Sequence, residues 1–167
     1  MRFSLVVHVT GLIVRVFGVM FSAPMLVALY YAEYGDAIGF AIMAGVTVSI
    51  GQAMRLAGGA DAEEAVERMR RVEGLAIVSM SWLVIAWFAS VPFLWNRLGP
   101  INAFFQAMSG LTATGATVLQ DFTQYGRSIF FWRGFTQWIG GMGVIALFVA
   151  ILPRLAIGGR ELFFAET

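Results

Sequence analysis

Met108-Ser109-Gly110-Leu111-Thr112-Ala113-Thr114-Gly115-Ala116-Thr117-Val118 is a threonine- and glycine-rich stretch between two long apolar segments of a 167-residue chain. Backbone that is not helical survives at membrane depth only where protein or water satisfies its polar groups. A Thr-x-Thr-Gly run after a short apolar helix is one way to build a cation filter there. Glycine frees the backbone, and successive carbonyls replace the water around the ion. The flanking segments decide whether this loop has a membrane to sit in.

Hydrophobic residues make up 59% of the chain and charged residues 13%, with a mean hydropathy of +0.80. That is too apolar for an ordinary soluble domain. The formal net charge is +1 and all basic residues are arginine. No basic stripe is available to neutralise phosphates, so nucleic acid is not expected as a partner. Cysteine is absent and His8 is the only histidine. Disulfides, thiolate metal sites and cysteine nucleophiles are excluded, and a zinc site or a Ser-His-Asp arrangement has almost no material. With no nucleophile–base pair in view, an enzyme is not expected.

Charge boundaries mark four apolar segments. The first runs from Phe3 to Tyr31, broken only by His8 and Arg15; it is too long for a signal peptide and is expected as one retained helix. Arg15 is expected to snorkel or to pair inside the bundle, and His8 to be structural. The second is uncharged from Ala37 to Met54 and carries Ala37, Ala41, Gly45, Ser49 and Ala53 at four-residue steps, which predicts close packing along that stripe. The third is uncharged from Gly74 to Asn96, and Trp95 and Asn96 suit an interface. The fourth is uncharged from Gly134 to Pro153. Gly58-Gly59 should end the second helix. Beyond it, Asp61 with Glu64 resembles a capping box, and Glu64–Arg68 and Glu67–Arg71 are favourable i,i+4 pairs. Arg2, Arg55, Arg68, Arg70, Arg71, Arg154 and Arg160 fall on one side, which predicts that both termini are cytoplasmic.

Leu98 to Gln120 is uncharged as well, yet it does not read as a fifth span. Gly99-Pro100 starts a helix, and Ile101 to Ser109 is about 13 Å long, too short for a core of about 30 Å. Gly110 is expected to end it, Thr112 to Thr117 to be irregular, and Asp121 to Arg127 to carry the chain back outside. The C-terminus of such a helix points about half a negative charge at the membrane midplane. No carboxylate lies between Glu73 and Asp121, which favours K⁺ or Na⁺ over Ca²⁺. A tight helix–turn–helix buried in a bundle is the alternative these residues leave open. The fold expected is an all-α membrane protein of four transmembrane helices plus one re-entrant pore helix and filter loop.

Ser109 to Thr117, followed by Phe131-Trp132-Arg133-Gly134-Phe135-Thr136-Gln137-Trp138-Ile139-Gly140-Gly141-Met142-Gly143, resembles the Trk/Ktr/HKT superfamily of potassium transporters and, within it, the bacterial TrkH family. Leu152-Pro153-Arg154 and Gly158-Gly159-Arg160-Glu161-Leu162-Phe163 are similar to that family too. The resemblance implies two leading helices at 1–58, a cytoplasmic amphipathic linker at 59–73, an M1–pore helix–filter–M2 repeat at 74–156 and a cytoplasmic tail at 157–167. It implies a K⁺ filter segment over Thr112, Ala113, Thr114 and Gly115, with the carbonyls around Ala113 and Thr114 as ligands. Ala116, Thr117 and Arg133 would support it. Arg133 would brace the filter or face the vestibule, and Gly140, Gly141 and Gly143 would pack closely or form a hinge. Ala113 stands where relatives often have threonine.

The same resemblance implies uptake of K⁺ across a bacterial plasma (inner) membrane, either channel-like or by symport with H⁺ or Na⁺. It further implies contact with membrane lipid, a homodimer of complete subunits and a cytosolic nucleotide-binding regulatory subunit of the Trk type. Family members carry four such repeats in one chain. The expectation is therefore a portion of a longer protein, with a one-repeat homotetramer as the alternative. A non-conducting structural or assembly membrane protein is the competing function.

Overall fold

Pro24 breaks the first apolar stretch in two. In the computed structural model, which describes residues 2–59, 69–120 and 124–164 (side chains through Ile145, Arg71 excepted), the chain begins with α1 (Phe3–Met20) and α2 (Ser22–Tyr30). A proline has no N–H to give the carbonyl four residues back, and its ring crowds that carbonyl. The helix therefore tightens at Phe21, whose N–H bonds to the Gly18 carbonyl at 3.3 Å. The Ser22 hydroxyl donates to the Val19 carbonyl at 2.7 Å. The single helix expected over Phe3–Tyr31 is thus two helices around one break.

The remaining elements are α3 (Tyr34–Ala57), α4 (Arg71–Trp95), α5 (Pro100–Leu111) and α6 (Arg127–Phe164). Among the described residues every regular element is a helix. Among the described residues, three stretches are long and apolar enough to cross a membrane: Phe3–Tyr30, Tyr34–Ala57 and Val72–Trp95. This is an all-helical, multi-pass membrane protein. The fourth apolar segment, 134–153, lies within α6. Gly58 and Gly59 do end α3, Gly59 with φ +76. The capping box expected at Asp61 and Glu64, with the two i,i+4 pairs, lies outside the described residues. A cap does appear at the start of α4, where the Arg70 N–H donates to the Glu73 carboxylate at 3.0 Å.

α1 packs most extensively on α3, by a different face from the expected stripe. Ala37, Phe40, Met43, Thr47 and Gly51 are buried, whereas Ala41, Gly45, Ser49 and Ala53 are exposed. A strict four-residue step turns about 40° further each time around a helix of 3.6 residues per turn. The stripe therefore spirals off the contact, and steps of three and four together follow it. Glycines set the closeness. A Cβ on Gly51 would stand 2.5 Å from the Arg15 nitrogen, and one on Gly11 would stand 2.7 Å from the Gly51 carbonyl oxygen. Such packing relies on backbone approach rather than on side-chain bulk.

Trp132 joins four helices. It is fully buried, stacks on Phe21 at 4.6 Å and lies 6.0 and 5.9 Å from Phe17 and Phe40. Its indole N–H donates to the Ala89 carbonyl of α4 at 3.1 Å, as a buried tryptophan requires. Polar groups gather at the two ends of this bundle. At one end Glu73, 1% exposed, receives the Arg2 guanidinium at 2.9 and 3.1 Å and the Arg2 N–H at 2.9 Å. At the other, Glu33 and Asp36 meet the end of α4 and the start of α6. Asp36 accepts from Trp95 and Asn96 at 3.2 Å each and from the Ser128 hydroxyl at 2.9 Å. Glu33 accepts from the N–H groups of Arg127 and Ser128 at 2.7 and 2.9 Å. It thereby caps a helix that begins almost a hundred residues later.

Candidate functional site

Gly99 and Pro100 open α5 as expected, with proline in the first turn, where its missing N–H costs nothing. The helix is 12 residues long, or about 18 Å. It ends at Leu111, not at Gly110. Gly110 serves contact instead: a Cβ there would stand 2.5 Å from the Thr136 hydroxyl of α6. What ends the helix is a Schellman arrangement around Ala113. The Ala113 N–H bonds to the Gly110 carbonyl at 2.9 Å, and the Thr114 N–H bonds to the Ser109 carbonyl at 3.0 Å. Ala113 has φ +54, the left-handed region that glycine normally fills, at a strain of about 1–2 kcal/mol. Gly115 follows with φ +77.

From Thr112 to Gln120 the described backbone is neither helix nor strand, and residues 112–117 are all exposed. Side chains on two helices hold this loop. Ser109 donates to the Ala116 carbonyl at 2.7 Å. Gln106, buried to 1% exposure, accepts from the Thr117 hydroxyl and the Val118 N–H at 3.2 Å each. Arg133 of α6 donates to the Gly115 carbonyl at 3.0 Å. Thr112 and Thr114 share a hydroxyl–hydroxyl bond of 2.8 Å. The carbonyls of Gly115 and Ala116 are therefore occupied. Among the described residues, those of Thr112, Ala113 and Thr114 accept no hydrogen bond.

Three peptide oxygens without donors, just beyond a helix C-terminus, form a negative surface without a formal charge. Such a surface suits a weakly charged, monovalent cation. Among the described residues no cluster of three or more His, Cys, Asp or Glu could hold a metal ion.

The site is seated on α6 by glycine. A Cβ on Gly140 would collide with the Leu111 carbonyl, one on Gly143 would lie 3.2 Å from the Trp82 ring, and one on Gly141 would meet nothing within 4 Å. Of the three glycines, Gly140 is thus the point of closest approach.

A family model described as TrkH, cation transport protein, matches residues 39–167. The chain belongs to the TrkH family. It is 37% identical to the Trk system potassium uptake protein TrkH of Vibrio parahaemolyticus and 34% identical to that of Halomonas elongata, each time over 99% of this chain and 34% of the relative. The Trk system potassium uptake protein TrkG of Escherichia coli is 34% identical over 96% of this chain and 33% of the relative. The chain spans about a third of the length of the curated relatives it matches.

Within this TrkH-family chain the other singled-out residues are partnered in the bundle. Arg15 donates to Gln52 at 2.9 Å, and buried His8 lies with its Nδ1 3.0 Å from the Arg55 carbonyl. Sequence reasoning passed over Gln106, although a lone carboxamide amid Phe104, Phe105, Ala107 and Met108 is itself a signal that something must bond it. The expected return segment 121–127 is described only from Gln124 onward.

Proposed function

We propose that this chain is part of a potassium-uptake pore and supplies one of the four segments of its selectivity filter. The observation that carries this reading is the trio of exposed, undonated carbonyls at Thr112, Ala113 and Thr114, directly after α5, in a TrkH-family chain. In this reading Ala113 and Thr114 present oxygen ligands to K⁺ and Gly115 supplies the turn. Ala116, Thr117 and Arg133 hold the loop behind them. Carbonyl dipoles replace the ion's hydration, and the C-terminal end of the α5 dipole adds negative potential at the same point.

The finer architecture is part of the proposal. α5 enters from outside as a re-entrant pore helix, α6 is the fourth span, and both termini are cytoplasmic in a bacterial plasma membrane. Contacts such as Gly110 with Thr136 and Arg133 with Gly115 support it. They hold the α5 tip and its loop partway along α6, while Gly126 returns to the Glu33 end. The homodimer of complete subunits and the cytosolic nucleotide-binding partner rest on family resemblance.

Gly115→Ser in the complete subunit tests this function in a strain lacking other potassium uptake. A side chain at φ +77 strains the turn, so K⁺ uptake should fall or Na⁺ should be admitted. An unchanged preference for K⁺ over Na⁺ would remove the filter assignment.

A further inference from the structure

We propose that Gln106 is a positioning residue of the filter loop: with Ser109 it fixes the register of residues 116–118 on α5, and so decides which carbonyls remain for the ion. The proposal rests on the function just given. Gln106 and Ser109 are three residues apart and share one face of α5. Both are buried, Gln106 to 1% and Ser109 to 6% exposure.

Three consecutive loop residues are tied to that face. Ala116 is held through its carbonyl by the Ser109 hydroxyl. Thr117 is held through its hydroxyl, and Val118 through its N–H, by the single Gln106 carboxamide oxygen. The Thr117 hydroxyl also accepts the Leu119 N–H at 3.1 Å, so the clamp passes into the next residue. A slip of one residue would break all these bonds together. It would leave a buried carboxamide oxygen without donors, which is costly in an apolar helix.

The clamp works by subtraction. It consumes the Ala116 carbonyl while Arg133 consumes that of Gly115. The ion-facing set therefore stops at Thr114. If Gln106 loses its acceptor, the Thr117 and Val118 donors are released and the 116–118 segment is free to turn. Carbonyls that now face protein can then compete for the ion at other distances. Selectivity falls, because it depends on a fixed number and placement of oxygens.

The test uses the complete subunit with Q106M, Q106E, S109A and G115S in the uptake-deficient strain. K⁺-over-Na⁺ preference is measured alongside the amount of protein in the membrane. Methionine keeps the bulk and loses the acceptor. Glutamate keeps an acceptor for the same two donors, one O–H and one N–H. Q106M, which removes the acceptor of two hydrogen bonds, should lower the preference about tenfold or more at normal protein levels, since one buried hydrogen bond is already on the scale of about tenfold. S109A should move it the same way, and Q106E should recover most of what Q106M loses. Parental preference in Q106M, or equal damage in Q106E and Q106M, would overturn the role. If Q106M does not accumulate, S109A decides: parental preference there overturns the clamp. G115S separates the two proposals. An unaffected G115S removes the filter itself, whereas an impaired G115S beside an intact Q106M removes only the part assigned to Gln106.

Discussion

The carbonyl oxygen of Leu111 occupies the space that a side chain on Gly140 would need, so the last turn of α5 rests on the backbone of α6. Gly140→Ala should push that turn, and the loop beyond it, away from α6. Overpacking of this kind costs about 1–3 kcal/mol. Gly141→Ala meets nothing within 4 Å and should be silent. Thermal unfolding in detergent, measured for both variants, checks the contrast. Equal stability of the two would mean that Gly140 does not set the contact.

A second glycine contrast lies between α1 and α3. Gly51→Val places its Cβ within 2.5 Å of the Arg15 nitrogen, whereas Gly45→Val enters open space. The first should lower the unfolding midpoint of the purified chain by several degrees and the second should leave it close to the parent. Equal midpoints would contradict the glycine-set approach of these helices.

Glu33 makes the structure sensitive to acid. Burial disfavours its charge, but the hydrogen bonds from Ser128 and Arg127 and the nearby Arg127 guanidinium outweigh it. The carboxyl thus ionises below the ordinary glutamate value of 4.5. Because the folded value is depressed, the stabilisation is complete above that ordinary value and fades as pH falls through the folded one. The unfolding midpoint should drop as pH falls below the ordinary glutamate value of 4.5, and Glu33→Gln should flatten the drop. An unaltered profile in that variant would show that the cap at α6 contributes nothing.

Membrane orientation can be read in a chain that has no cysteine of its own. Gly35 and Met69 are both exposed and lie near opposite ends of the bundle. Gly35→Cys should react with an impermeant thiol reagent in intact cells, and Met69→Cys should react only after the membrane is opened. The reverse pattern would invert the proposed topology.

The helices were legible because runs of apolar residues end at charges, and because Gly58-Gly59 and Gly99-Pro100 are strong local punctuation. The irregular loop was legible because Thr112 to Thr117 offers little to a helix. The details that failed share a cause. Pro24 makes the break, but the first segment was read from the length of its apolar run and its charges alone. The α3 stripe was counted in fours, although a helix face advances by 3.6. Gly110 looked like a terminator because glycine often is one, yet Ala113 took that place and Gly110 took the contact with Thr136. Gln106 could not be assigned from local pattern, since its partners lie 11 and 12 residues further on.

The latch at Glu33 also has a place in time. The carboxylate is synthesised 95 residues before Ser128, the last of the groups it binds. At about 5–20 residues per second, that is a wait of roughly 5–20 seconds. Through that interval α1 and α3 can already pair, since both are complete by Ala57, and Asp36 can meet Trp95 and Asn96 of α4, while Glu33 stays hydrated with α6 still unmade. The arrival of α6 then does three things at once: it supplies the Glu33 carboxylate with Arg127 and Ser128, brings Trp132 in between Phe17, Phe21 and Phe40, and delivers Arg133 to the loop and Gly140 to the last turn of α5. The order of birth thus leaves the loop after α5 with only its Gln106 and Ser109 ties, and its Gly115 carbonyl unheld, until the closing helix brings Arg133.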